Sequence, residues 1–222
     1  MADRPIIFSG PMVRALIEGR KTQTRRVIKK PAALDALSVF GADFLTLPGN
    51  IDLIGYAPGD RLYVREAHAL LPRTAYRGSI GTGSIAQTEH PTDGYSAAVF
   101  REGFDRSGPP RWRPSIHMPR WASRLTLTVT DVRVQRLHDI SEADAVAEGI
   151  VPVTRHFPPL QGVPHQLRER TIYEWSGGWS VRAADAYAVL WNSLHGPDAW
   201  DANPWVVALT FTVEQRNIDG AA

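Results

Sequence analysis

The sequence predicts an α+β fold in which a small mixed or antiparallel sheet curls toward a barrel, flanked by a few helices and interrupted by long loop insertions. Three observations point there. Strand-like runs outnumber helical ones, the helical segments are short, and strands and helices do not alternate in the βαβ rhythm of a doubly wound fold. At 222 residues, with 43% hydrophobic and 22% charged side chains, the chain has globular composition and the length of one domain with insertions.

In chain order, Pro5-Ile6-Ile7-Phe8 reads as a first strand, broken by Ser9-Gly10-Pro11. Proline at the first helical position, with Met12, Val13, Leu16 and Ile17 on one stripe, predicts an amphipathic helix over Pro11 to Glu18, stopped by Gly19. Arg20 to Arg26 then leads into an extended segment ending at Val27-Ile28. Residues 31–57 lack a clear period and read as an insertion. Pro58-Gly59-Asp60 is a turn signal, and Arg61 to Ala69 alternates as a strand. The stretch 71–95 is rich in Gly, Ser and Thr and reads as a second insertion, followed by a strand over Tyr95 to Phe100.

Ser123 to Leu137 is the clearest strand, with Leu125, Leu127 and Val129 in one register and Val132 and Val134 in the other. A bulge or turn at Thr130-Asp131 accounts for the shift. Ser141-Glu142-Ala143-Asp144 has the cap and acidic first turn of a helix, ended by Gly149. Residues 151–180 read as a third irregular insertion. An alanine-rich helix over Val181 to Leu194 and a last strand over Trp205 to Val213 complete the chain.

The absence of cysteine excludes disulfide frameworks, thiol nucleophiles and His/Cys/Cys zinc sites. The seven histidines are dispersed, with His156 and His165 the nearest pair, so no metal-ligand spacing occurs; no metal or cofactor is expected. No run approaches the ~20 apolar residues of a membrane span, and the first residues lack a signal-peptide core, so a cytoplasmic protein without membrane partners is expected. Nothing in the sequence bears on oligomeric state. All but three of the 25 basic residues are arginine, which gives a pI of about 9.1 at a formal charge of +2. The three lysines are Lys21, Lys29 and Lys30.

Gly19-Arg20-Lys21-Thr22-Gln23-Thr24-Arg25-Arg26 is the densest polar cluster. Two readings are open from the residues alone. Arg20 and Lys21 complement the negative end of the first helix, or Lys21, Thr22, Thr24 and Arg25 converge on a pocket. In the second, a desolvated lysine accepts the proton of a threonine hydroxyl and a carboxylate orients the amine.

The motifs GRKTQTRR, PGDRLYVRE (Pro58 to Glu66), IHMPRWASRLTLTVTDVRVQRL (Ile116 to Leu137), SEADAVAEGI (Ser141 to Ile150) and WDANPWVVALTF (Trp200 to Phe211) occur in the order of the ASCH domain. The chain resembles the longer ASCH proteins of phages and prophages. That resemblance implies a PUA-like β-barrel, a fold associated with recognition of RNA and modified bases. It also implies kinship with N4-acetylcytidine amidohydrolases, whose lysine, threonine and glutamate fall on Lys21, Thr24 and Glu148. The implied chemistry is attack by Thr24 on the amide carbonyl of an acylated exocyclic amine, activation by Lys21 and proton relay by Glu148 to the leaving cytosine amine. Otherwise Glu148 is a solvated helix residue that mildly repels Asp144 across one turn.

Thr22, Arg25, Arg26, Tyr63, Arg65 and Glu66 are the candidate substrate contacts, the last three as one face of a strand, with an exposed sheet face as the alternative. Trp112, His117, Arg120 and Trp121 mix aromatic and basic groups as base-stacking surfaces do, whereas Trp191, Trp200 and Trp205 read as core. The expected function is deacylation of an N4-acylcytidine-type nucleoside, with a modified nucleoside or RNA as partner. The alternative is a noncatalytic RNA- or modified-base-binding regulator. Ribonuclease activity, known for some ASCH proteins, has less support because no histidine pair is present.

Overall fold

The computed structural model describes residues 2–79, 81, 85–157, 168–175 and 178–220. In chain order its elements begin with β1 (Asp3–Ile7), α1 (Gly10–Ile17), β2 (Gln23–Val27), α2 (Pro31–Phe40) and α3 (Ala42–Thr46). They continue with β3 (Arg61–Arg65), β4 (His68–Pro72), β5 (Gln87–Glu89), β6 (Ser96–Phe100) and β7 (Thr126–Arg136). The last are α4 (Glu142–Ala147), β8 (Val151–Phe157), β9 (Arg168–Trp175), β10 (Gly178–Ser180), α5 (Ala183–His195) and β11 (Trp205–Glu214). The fold is therefore mixed α+β, and among the described residues no helix is long and apolar enough to cross a membrane.

The chain forms two compact units, each assembled from separate segments: 1–19, 56–132 and 210–222 in one, 20–55 and 133–209 in the other. β7 and β11 run from one unit into the next. In the first unit the strand order is β1-β3-β7-β11, with β1 parallel to β3 and β3 antiparallel to β7, pairing Leu62 with Leu127. Leu62, Val64, Leu125 and Leu127 are buried on one side of these strands. A second sheet, antiparallel and ordered β4-β6-β5, packs Ala98 and Phe100 against Met118 and Ala122.

The turn at Pro58-Gly59-Asp60 forms as its residues predict: Asp60 is buried and its carboxylate accepts from the backbone N–H groups of Ala2 and Ala57 at 2.7 and 3.1 Å. The single strand expected over Arg61 to Ala69 is two, broken at Glu66-Ala67.

In the second unit the order is β7-β11-β2, and a separate antiparallel sheet runs β10-β9-β8. α4 and α5 pack through Ala145, Ala183, Ala184 and Ala186, small side chains that let the helices approach closely, around Leu137, Ile140, Tyr187 and Trp191. Ser141 caps α4 by accepting the Asp144 N–H at 3.0 Å, as the sequence predicts. β7 buries Leu127 and Val129, exposes Thr130 and Asp131, then buries Val132 and Val134. That is the register shift expected at Thr130-Asp131.

Three stretches expected to be irregular carry structure. Residues 31–57 hold α2 and α3, the first started by Pro31 and burying Ala33 and Leu37 one turn apart. Residues 71–95 contribute the end of β4 and the short β5, with 80 and 82–84 outside the described residues. Residues 151–180 hold β8, β9 and β10, paired from Val151 with Glu174 onward, with 158–167 and 176–177 outside the described residues.

Candidate functional site

The site lies in the second unit and is built from the chain that follows α1. Gly19 takes a positive φ of 71° and ends that helix, as its position predicts. The Thr22 N–H then donates to the Ala147 carbonyl at 2.9 Å, tying the segment to the end of α4. β2 follows, and strand alternation sends Gln23 and Arg25 to one face and Thr24 and Arg26 to the other. Lys21, Gln23 and Arg25 turn toward the carboxylates of α4 and its C-cap.

At the centre, Lys21 is fully buried and Glu148 is 3% exposed. The Lys21 Nζ donates to Glu148 Oε2 at 2.6 Å and to the Glu148 carbonyl at 2.9 Å. Arg25 Nη1 donates to Glu148 Oε1 at 3.1 Å and to Gln23 Oε1 at 2.7 Å, while its Nη2 donates to Asp144 Oδ2 at 3.0 Å. The Tyr187 hydroxyl, from α5, donates to Glu148 Oε1 at 3.2 Å. Arg133 from β7 and Gln23 hold Asp144 Oδ1 at 2.9 and 3.2 Å.

Three cations thus face two carboxylates. Desolvation pushes the Lys21 amine below its usual range, Glu148 opposes this by charge and hydrogen bond, and the charges of Arg26 and Arg25 reinforce it. Burial, and then the Glu148 charge, push the Tyr187 hydroxyl well up. Desolvation would raise Asp144, but the Arg133 hydrogen bond, the Arg25 charge and the Gln23 hydrogen bond bring it to about 2. A buried amine lowered in this way can take a proton from a hydroxyl, and a carboxylate 2.6 Å away can receive it.

Both residue-level alternatives need correction. Lys21 and Arg20 do complement a helix end, but that of α4: Lys21 bonds the Glu148 carbonyl and Arg20 Nη1 the Gly149 carbonyl at 3.3 Å. Glu148 is not a solvated neighbour repelling Asp144, because Arg25 lies between the two carboxylates and binds both.

The structure brings Lys21 and Glu148 together and leaves Thr24 outside the pair. Thr24 is 3% exposed, on the face of β2 opposite Gln23 and Arg25, and no hydrogen bond to its hydroxyl forms among the described residues. Thr22 is exposed and Arg26 half-buried. Arg25, expected at a phosphate or base, is instead taken up inside the protein, with its side chain fully buried and its guanidinium 5.9 Å from the Tyr187 ring.

Tyr63, Arg65 and Glu66 belong to the first unit. Tyr63 and Arg65 share a face of β3, but Glu66, one residue on, breaks the alternation expected of the three. It is buried and held by Arg124 Nε and Nη2 at 2.8 and 2.9 Å. Arg65 Nη2 donates to the Ile116 carbonyl. Arg120 pairs with Asp3 and Asp219 and lies 5.6 Å from the Tyr63 ring, and Trp121 meets His90 edge-on. Trp191 is core, while Trp200 and Trp205 are half-buried.

Sequence reasoning missed Gln23, Arg133 and Tyr187. Gln23 had a signal, since it shares strand parity with Arg25. Tyr187 had a weaker one, as a hydroxyl-bearing ring in the alanine-rich face of α5; Arg133 had none. No protein-family model, curated protein or solved structure matches the chain.

Proposed function

We propose that the chain is an ASCH-type, PUA-like protein that hydrolyses the amide of an N4-acylcytidine or a related acylated nucleoside. The observation that carries this reading is the Lys21–Glu148 pair: a fully buried amine 2.6 Å from a buried carboxylate, contributed by the two motifs of the resemblance. Thr24 Oγ1 attacks the acyl carbonyl and gives its proton to the Lys21–Glu148 pair. The C–N bond then breaks, and Lys21 and Glu148 pass that proton to the departing cytosine N4. Water hydrolyses the threonyl ester with the same pair as base, so amide and water become carboxylic acid and amine. Arg25 and Tyr187 act as positioning residues by holding Glu148 Oε1.

Incubation of the protein with N4-acetylcytidine, followed by the absorbance change on loss of the acetyl group, tests the reading. Turnover is expected in the wild type and abolished in Thr24→Ala. Glu148→Gln is expected to lose roughly 10²–10⁴-fold, the usual contribution of a positioned acid or base. Absence of wild-type turnover on every N4-acylcytidine overturns it.

A specific observation favours a second reading, a noncatalytic module for RNA or a modified base. Both Glu148 oxygens are already engaged by Lys21, Arg25 and Tyr187, and Thr24 faces away from Arg25. In that case Thr24→Ala leaves RNA binding intact and salt weakens it steeply.

A further inference from the structure

The second unit carries a groove of about 620 Å³ that the Lys21–Glu148 pair does not use. Arg26 and Lys29, from β2 and the chain after it, form one wall. Trp191, Leu194 and His195, from the last two turns of α5, form the other, and Pro204 closes one side. Its lining contains three basic side chains and no carboxylate; the rest is apolar. The exposed His195 ring packs edge-on against Trp191 with centroids 4.0 Å apart, and Leu194 leaves 45% of its surface exposed beside it.

We infer that this groove binds an organic phosphate monoester bearing a flat ring, of the class of a nucleoside monophosphate. A dianionic phosphate is the group that a lining shared by Arg26, Lys29 and His195 matches, the first two supplying fixed positive charge. The groove lies within the size range of small-molecule pockets and is far larger than phosphate alone, so the ester's organic part occupies the apolar remainder. A ring suits that remainder, because Val27, Trp191, Leu194 and Pro204 line it with apolar side chains.

The charges around His195 agree with an anionic occupant. Burial lowers its affinity for a proton, and the positive charges of Arg26 and Lys29 lower it further. The lining from the loop after α5 is uncharged, and the partial negative charge at the end of that helix acts the other way. A bound phosphate reverses this balance and draws a proton onto the ring, so affinity rises as pH falls through the His195 pKa of the complex.

Calorimetric titration with cytidine 5′-monophosphate, cytidine and inorganic phosphate tests the site, at about pH 7 and about pH 8.5, above the second phosphate ionisation at about 6 so that the ester stays largely dianionic. The monophosphate is expected to bind more tightly than either fragment and more tightly at the lower pH. Lys29→Ala and His195→Ala are each expected to weaken it roughly tenfold, the scale of a lost charge-assisted hydrogen bond. Undetectable binding, equal binding by the Lys29 and His195 variants, or inorganic phosphate binding as tightly as the ester overturns the inference. An oligonucleotide without terminal phosphate binding as tightly overturns the monoester assignment.

Discussion

Lys21 is the residue on which most of the site depends. Its amine, fully buried, donates to both the carboxylate and the carbonyl of Glu148. Removing one member of a buried pair leaves the other charge desolvated, which costs roughly 3–5 kcal/mol, whereas replacing both by apolar groups of similar volume is often neutral. Arg25 remains on Glu148 after Lys21→Ala and softens the loss. Lys21→Ala is therefore expected to destabilise by about 3 kcal/mol, near the low end of that range, in a denaturant titration. Lys21→Met combined with Glu148→Leu should recover part of it but not all, because that change takes one of two carboxylate partners from the buried Arg25. A loss below about 1 kcal/mol for Lys21→Ala, the level of an exposed ion pair, would show that the pair is not desolvated in solution.

Among the elements, α4 matters most, because it is short and its two ends do different things. Its N-terminus is capped by Ser141, and Ser141→Ala is expected to cost about 1 kcal/mol, the usual value of a side-chain cap. Asp144 in its first turn is held at about 2 against an ordinary value of 3.8. A carboxyl with a lowered folded pKa contributes its full stabilisation above the unfolded value and loses it as pH falls toward the folded one. That contribution is complete above 3.8 and fades between 3.8 and about 2. Asp144→Asn should flatten this part of the acid limb of stability against pH, and an unchanged limb would refute the assignment. The far end of α4 places Glu148 at its C-cap, where a carboxylate is unfavourable, and Lys21 offsets this by bonding the carbonyl and the side chain together.

At the scale of the molecule, neither unit is a contiguous piece of chain. The first needs 210–222 and the second needs 133–209, and β7 and β11 serve both. A fragment ending at Val132 lacks β11, and it also lacks α4, α5 and the site residues Arg133, Asp144, Glu148 and Tyr187. That fragment is expected to lack dispersed amide signals in a proton–nitrogen NMR spectrum, whereas a well-dispersed spectrum would show that β1, β3 and β7 suffice for a folded unit. Composition alone does not foresee this interleaving, because nothing in the chain marks a linker.

What the sequence determined by itself was local. Pro11 and Gly19 bounded α1, Ser141 began α4, and the change of parity at Thr130-Asp131 marked β7, because caps, breakers and alternation act over a few residues. α2 and the β8–β9 pair were not legible: α2 buries only Ala33 and Leu37, and the partners of β8 come from a strand whose register no local pattern records. The site divides the same way. Residue chemistry alone singles out Lys21 and the resemblance adds Glu148, but their contact spans 127 residues and is made by packing. Only the tertiary structure decided that Arg25 turns inward to join two carboxylates while Arg26 turns to the groove beside His195. Alternation along β2 sends the two arginines to opposite faces, but what each face meets is set by distant chain.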